Sequence, residues 1–529
     1  MLFYTTFRSS WRNRLNRREW RRSELTQTPE DWVKEYLMQA PWVIEEMATA
    51  DLNDKRLNER LQVILSQLAA RPTASIPAAC GGFAEMTAAY RFFDNDKVGF
   101  DGVLRPHLVS THARIAAQPV VLLVPDTTEI DVTRPEQQVQ GAGPLDGGTR
   151  RGVFLHLMHA FTADGTPLGT VQAIPWTRDG DKPPVASQSS RRRAATPIEE
   201  KESFRWLLSM QKAREEAGGW PHTQIVYVAD SEADIYDVIA TGMEEPHTAD
   251  WVVRSCQDRA LVDDLGDAVG LDHLHAEALA APVLYRQTIQ VRGRQAKLAC
   301  DDRGRRQPRK SRAAVVEVRA VRVTLRAPER QVGHPPDVTV NAVLVTEANP
   351  PEDDVAVEWL LLTSLPINTS DQVRLIVQYY CTRWMIEVFF RTLKSGCRVE
   401  ERRFEDVSRL LPCLAVYLIV TWRTLYVCRL GRSCPEISCE AVFEPGEWQS
   451  VYQVVKREKP PKQPPKLQEM VRLVAQLGGY VNRKRDDEPG PQTVWLGLQR
   501  LHDIALCWQV FGPGASEKKA TVGVEGELV

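Results

Sequence analysis

The chain has 529 residues, 43% of them hydrophobic, and a formal charge of −2. That length suits roughly three or four domains and excludes a single small binding module. The near-zero charge excludes a polycation, so any affinity for nucleic acid must come from local basic faces.

Ten cysteines between Cys80 and Cys507 show no CxxC pair and no regular framework, which fits a reducing compartment and argues against structural zinc. The start, MLFYTTFRSSWRNRLNRREWRR, is basic but lacks an apolar core with a small-residue cleavage site. The longest apolar run, around Leu410 to Trp422, falls short of the ~20 residues of a membrane span. A soluble cytoplasmic protein with no membrane partner is expected.

Residues 1–30 are expected to form a basic flexible arm. From 31 to 115, WVKEYLMQAPWVIEEM and DKRLNERLQVILSQLAA repeat apolar residues every three or four positions, predicting a helical domain. At PVVLLVPDTTEIDVT the pattern becomes that of a buried strand, and QIVYVADSEADIYDVI reads as a strand followed by a helix. An α/β core over 116–445 is predicted, split by a β-rich insertion at 251–349 that contains the basic turn-like stretch DDRGRRQPRKSR. WLLLTSLP returns to the core, and Gln372 to Lys394 should be one long helix with Ser370 as N-cap. A basic proline-rich linker (446–466), a C-terminal helical domain (467–512) and a tail (513–529) complete the prediction.

Asp126 follows VVLLVP and Asp230 follows QIVYVA, so both carboxylates are expected at the ends of apolar strands, where adjacent strands bring side chains together. In YYCTRWMIEVFFRTLKSG, Tyr380, Arg383, Glu387, Arg391 and Lys394 recur at helical steps on one polar stripe. A salt-bridge ladder would explain that stripe alone; the two aspartates point to a site. Asp126, Asp230 and Glu387 are therefore candidate ligands for two Mg²⁺ or Mn²⁺ ions, which favour oxygen donors, with Arg383, Arg391 and Lys394 beside them to neutralise phosphates. His156 and His159 would point to opposite faces of a strand, and a metal pair there is not expected. GGTRRG at 147–152 lacks the ending of a nucleotide-binding loop, and no such loop occurs elsewhere, so no nucleotide cofactor is implied.

These motifs resemble the bacterial insertion-sequence-four family of transposases. Tyr380, Arg383, Glu387 and Lys394 match its helix signature, DTT at 126–128 its first aspartate motif, and DSEADIYD at 230–237 its second. Ser231 stands where the best-known relative has arginine. GGFAEMTAAYRFFDND (81–96) resembles the family's DNA-recognition region, and LGGYVNRKRDDEPGPQTVWLGLQRL (477–501) its subunit-contact domain.

The resemblance implies a ribonuclease-H-like core between helical domains, with Asp126, Asp230 and Glu387 as catalytic residues holding two metal ions in the catalytic complex. It implies that Trp359 stacks on a flipped base and that Arg403 and Glu405 contact end DNA; Arg254 and Arg259 are further phosphate-binding candidates. The implied activity is cut-and-paste transposition in the bacterial cytoplasm, through a hairpin intermediate, with double-stranded DNA ends and target as substrates and a homodimer as the synaptic unit. The alternatives are a metal-dependent nuclease that cleaves without joining and an inactive DNA-binding inhibitor; strand transfer separates them.

Overall fold

The computed structural model describes residues 40–134, 136–146, 149–180, 196–263, 268–291, 310–329, 335–352, 354–483 and 486–513. The expected arm at 1–30, most of the expected tail at 513–529, most of DDRGRRQPRKSR and the glycine pair of GGTRRG lie outside them.

The described chain opens with helices α1 (Pro41–Glu46), α2 (Lys55–Ala70), α3 (Ile76–Ala79), α4 (Phe83–Phe93) and α5 (Phe100–Ala116). Asp54 caps α2 by accepting the Arg56 N–H, and Ser75 caps α3 by accepting that of Ala78. Leu61, Ile64, Leu65 and Leu68 fall at helical spacing and are buried.

The centre is a mixed sheet. Strands β1 (Val120–Asp131), β2 (Gly143–Pro144), β3 (Arg151–Thr162) and β4 (Pro167–Trp176) are followed by helix α6 (Phe204–Ala217), strand β5 (Gln224–Ala229), helix α7 (Tyr236–Met243) and strand β6 (Asp250–Ser255). β4, β3 and β1 are antiparallel neighbours, and β5 and then β6 join β1 in parallel. The sheet separates two cores: Leu122 and Val124 face one, Val121 and Leu123 the other. Burial on both faces is why β1 begins as an unbroken apolar run.

Strands β7 (Ala260–Val262) and β8 (Ala268–His273), helix α8 (Leu274–Ala280), and strands β9 (Val283–Val291), β10 (Arg312–Leu325), β11 (Val338–Glu347) and β12 (Glu358–Thr363) follow. The expected insertion at 251–349 begins one strand too early. Trp251–Ser255 belongs to β6 and pairs in parallel with β5, so it is core. β12 then pairs antiparallel with β6, and β11 and β10 continue outward, so the inserted strands extend the same sheet.

The site segment is not one helix. It consists of α9 (Ser370–Thr382), a break at Arg383–Trp384, α10 (Met385–Arg391) and a π-helical turn, Thr392–Gly396. Thr369, not Ser370, is the N-cap, because Gln372 completes a capping box with it. Next come α11 (Val407–Ser433), α12 (Pro445–Lys456), α13 (Leu467–Leu477) and α14 (Pro491–Phe511). At 27 residues α11 is long and apolar enough to cross a bilayer, yet most of it is buried within the protein, as a core helix. The first part of the expected linker is α12, whose Trp448 and Val451 pack with Met470, Val474 and Leu501. The whole is a ribonuclease-H-like α/β core between helical regions.

Two buried polar joints tie these parts together. Glu46 on α1 meets His107 at 2.5 Å and Arg114 at 2.8 Å on α5, while the His107 ring accepts the Thr170 N–H of β4 at 3.1 Å and Arg114 lies 4.1 Å over the Trp422 ring of α11. Arg402, 3% exposed, donates to the Pro72 carbonyl at 2.6 Å and also to the carbonyls of Ala74 and Cys397.

Candidate active site

Asp230 directly follows β5, and its side chain caps the next turn by accepting the Glu232 N–H at 2.9 Å. Asp126 is not at a strand end as expected but lies within β1, opposite Leu157 of β3. It nevertheless stands where full burial of the strand stops, after Val121–Pro125, and β1 pairs with β5 only as far as Leu123 opposite Tyr227. Beyond that point the two strands leave room for the carboxylates. α10 supplies Glu387, anchored by the fully buried Ile386 and Phe389; the Phe389 ring packs 4.6 Å from that of His159 on β3.

The three carboxylates converge on one guanidinium. Arg383 Nη1 lies 3.4 Å from Asp126 Oδ2 and 3.9 Å from Asp230 Oδ2, and Nη2 lies 2.8 Å from Glu387 Oε1. Arg383 and Glu387 meet as an i,i+4 pair, and Arg383 and Trp384 pass the chain from α9 to α10 through short-range bonds, such as Ile386 N–H to the Arg383 carbonyl at 3.1 Å. Arg383, expected beside the metals as a phosphate binder, occupies the middle of the triad.

One arginine does not balance three carboxylates. Burial first, and then the neighbouring Asp230, push the Asp126 carboxyl up to about 8, against the pull of Arg383 and the Thr127 N–H. Arg383 is held above its usual value: burial opposes this, but Tyr380, Asp126, Asp230 and the bond to Glu387 outweigh it. Glu232, passed over in the sequence reading, is also raised, by burial and then by Asp230; the crowding of acids in DSEADIYD was the signal. An all-oxygen donor set that demands more positive charge fits Mg²⁺ or Mn²⁺. Among the described residues, no three such ligands are gathered tightly enough to cage an ion.

A second group adjoins the triad. The rings of Trp359 on β12 and Tyr380 on α9 are 5.7 Å apart, and Arg254 on β6 donates to the Glu358 carbonyl at 3.3 Å and lies close enough to Tyr380 to act on its hydroxyl. Burial raises the Tyr380 hydroxyl despite Arg254 and Arg383. Lys394, in the π turn, pairs with Glu400 at 3.6 Å, and Arg391, Arg403 and Glu405 are exposed.

Arg259 does not join the site. It is buried in an ion pair with Asp234 at 2.5 Å, and Asp234 also accepts the N–H groups of Cys256 at 2.7 Å and Gln257 at 3.0 Å. This pair fixes the turn after β6 and holds the Arg259 guanidinium on Asp234. His156 and His159 are both fully buried; His156 bonds Thr127 and Ser209 at 2.8 and 2.9 Å, and His159 bonds Thr170 at 3.3 Å.

Three family models match the chain: transposase DNA-binding over residues 39–98, transposase DDE domain over 222–411, and transposase Tn5 dimerisation domain over 419–512. The chain is a DDE-type transposase with an N-terminal DNA-binding domain and a Tn5-like dimerisation domain. More particularly, this set of domains is consistent with the superfamily that includes Tn5. The DDE domain implies chemistry dependent on divalent metal, and the other two domains make DNA and a second copy of the chain its partners. Among solved structures, a cryo-EM structure described as a piggyBac transposase synaptic complex with hairpin DNA aligns with 97% of this chain and 81% of that one, at 11% identity and a TM-score of 0.34.

Proposed function

We propose that the protein is a cut-and-paste transposase that binds terminal inverted repeats, cleaves through a hairpin, and joins the freed 3′-hydroxyl ends to target DNA. The observation that carries this reading is the convergence of Asp126, Asp230 and Glu387, from three separate elements, on a single cation beside the Trp359–Tyr380–Arg254 group.

Asp126, Asp230 and Glu387 would hold two Mg²⁺ or Mn²⁺ ions. When bound, such ions activate water or a 3′-hydroxyl and stabilise the departing oxygen of a phosphodiester. The chain's own residues grip and shape the DNA. Arg383, Arg391 and Lys394 neutralise phosphates, in the bidentate manner open to arginine. Trp359, half-buried against Tyr380, offers an indole face that replaces the stacking an extruded base loses, with Arg254 beside Tyr380. Arg403 and Glu405 contact end DNA from their exposed positions. A synaptic homodimer brings two ends together, each site being completed on the end held by the partner.

The test is cleavage and strand transfer on DNA carrying the element's own terminal repeats, with and without Mg²⁺, for the native protein and Glu387→Ala. Metal-dependent joined products that vanish in the variant are expected. Cleavage without joining would make the protein a nuclease, and specific binding with neither activity would make it an inhibitor of transposition.

A further inference from the structure

Metal binding and the resting position of Arg383 compete for the same oxygens. Its guanidinium approaches Asp126 Oδ2, Asp230 Oδ2 and Glu387 Oε1 at 3.4, 3.9 and 2.8 Å, and its side chain is only 11% exposed. A divalent ion binds carboxylate oxygens at roughly 2.0–2.6 Å, a separation that leaves no room for a planar guanidinium between the ligands. The two cations therefore exclude one another.

We propose that Arg383 is a built-in counter-cation that keeps the triad closed to divalent ions until a DNA phosphate draws its guanidinium away. This rests on the reading of Asp126, Asp230 and Glu387 as metal ligands. Three features of the chain support it. One guanidinium serves all three carboxylates, so a single movement uncovers the whole set. Arg383 sits at the break between α9 and α10, where Arg383 N–H to the Tyr380 carbonyl at 3.2 Å and Glu387 N–H to the Trp384 carbonyl at 3.2 Å replace regular helical bonding. The side chain is thus rooted at the junction of the two helices rather than within either. Finally, phosphate offers a guanidinium the same paired oxygens that a carboxylate does, so the backbone of bound DNA is a chemically matched acceptor.

Two consequences follow from linkage. The apparent metal affinity of the DNA-free protein is reduced by the small fraction of molecules in which Arg383 has left the triad. DNA and metal then bind with positive coupling, each raising the affinity for the other. A nuclease centre closed until the correct substrate arrives does not cut at random.

The experiment is titration of the DNA-free protein with Mn²⁺, followed by calorimetry and by the electron paramagnetic resonance of free Mn²⁺, for the native chain, Arg383→Gln and Arg383→Lys. Arg383→Gln should bind Mn²⁺ at least about tenfold more tightly than the native chain, and Arg383→Lys by an intermediate factor, because an ammonium is a point charge that cannot span three carboxylates. Adding Glu387→Ala to Arg383→Gln should abolish the gain. Should Arg383→Gln fail to fold, Arg383→Lys carries the test alone. Equal or weaker Mn²⁺ binding by the folded variants, with binding still lost on Glu387→Ala, would overturn the closure while leaving the metal site intact. No Mn²⁺ binding by any of the proteins, with or without DNA, would overturn the metal-site reading itself.

Discussion

Two clusters in this molecule are built from the same ingredients and behave oppositely. At the joint between the N-terminal helices, the sheet and α11, one carboxylate, Glu46, meets Arg114 and His107. The Glu46 carboxyl is brought down to about 2: burial would raise it, but the bonds and charges of His107 and Arg114 prevail. Burial holds His107 below the ordinary imidazole range, against the pull of Glu46; its ring accepts the Thr170 N–H at one nitrogen and meets Glu46 with the other. At the triad, three carboxylates share one arginine and Asp126 is pushed up to about 8. A cluster whose charge is balanced by its own side chains is a fastener; one left short of positive charge is a place that takes a cation from outside.

The comparison breaks most visibly under substitution of the triad. Asp230→Asn should lower strand transfer by at least about 10³-fold, since residues that act as one unit fail together, while leaving binding to end DNA and the melting temperature nearly unchanged. A melting temperature that fell with the activity would mean that the triad, too, is a fastener.

Phe389→Ala sharpens the link between core and site. Removing a fully buried ring that supports α10 against His159 should cost about 3–5 kcal/mol by denaturant unfolding, with loss of activity in the fraction that remains folded.

At the joint, Glu46→Gln should cost about 3 kcal/mol near neutral pH, from the carboxyl's displacement from 4.5 to about 2. The folded value is depressed, so the stability Glu46 contributes is complete above about 4.5 and is lost as pH falls through about 2. The gap between native and variant unfolding free energies should therefore close across that window; a gap independent of pH would show that packing, not charge, made the difference.

The smallest effect is expected at Arg71–Asp503, a 3.0 Å pair between the loop after α2 and α14 with both side chains largely exposed. Asp503→Ala should change stability by no more than about 1 kcal/mol, as read from the shift in the denaturation midpoint.

Much of this was legible in the sequence for a local reason. The apolar runs before Asp126 and Asp230 and the helical spacing around Glu387 are short-range patterns, and they place three carboxylates on elements that do meet. The features that escaped depend on partners distant in sequence. RWM contains neither proline nor glycine, so nothing local announces the break between α9 and α10. WVVRSC looks like the strands after it, and only its pairing with β5 assigns it to the core. Arg259 reads as a free cation until Asp234 is found against it. In 446–466 the prolines and lysines of the second half masked the apolar spacing of Trp448 and Val451, which buries α12.

The most direct test of the central claim is strand transfer by Asp126→Asn on DNA carrying the element's ends, in Mg²⁺ and in Mn²⁺. The substitution keeps the shape of the side chain and removes the charge that the site must offer to a cation. The account predicts that end binding persists and that joined products disappear with either metal. Joining at the native rate with either ion would contradict it, because the charge deficit at Asp126 would then have no part in the chemistry.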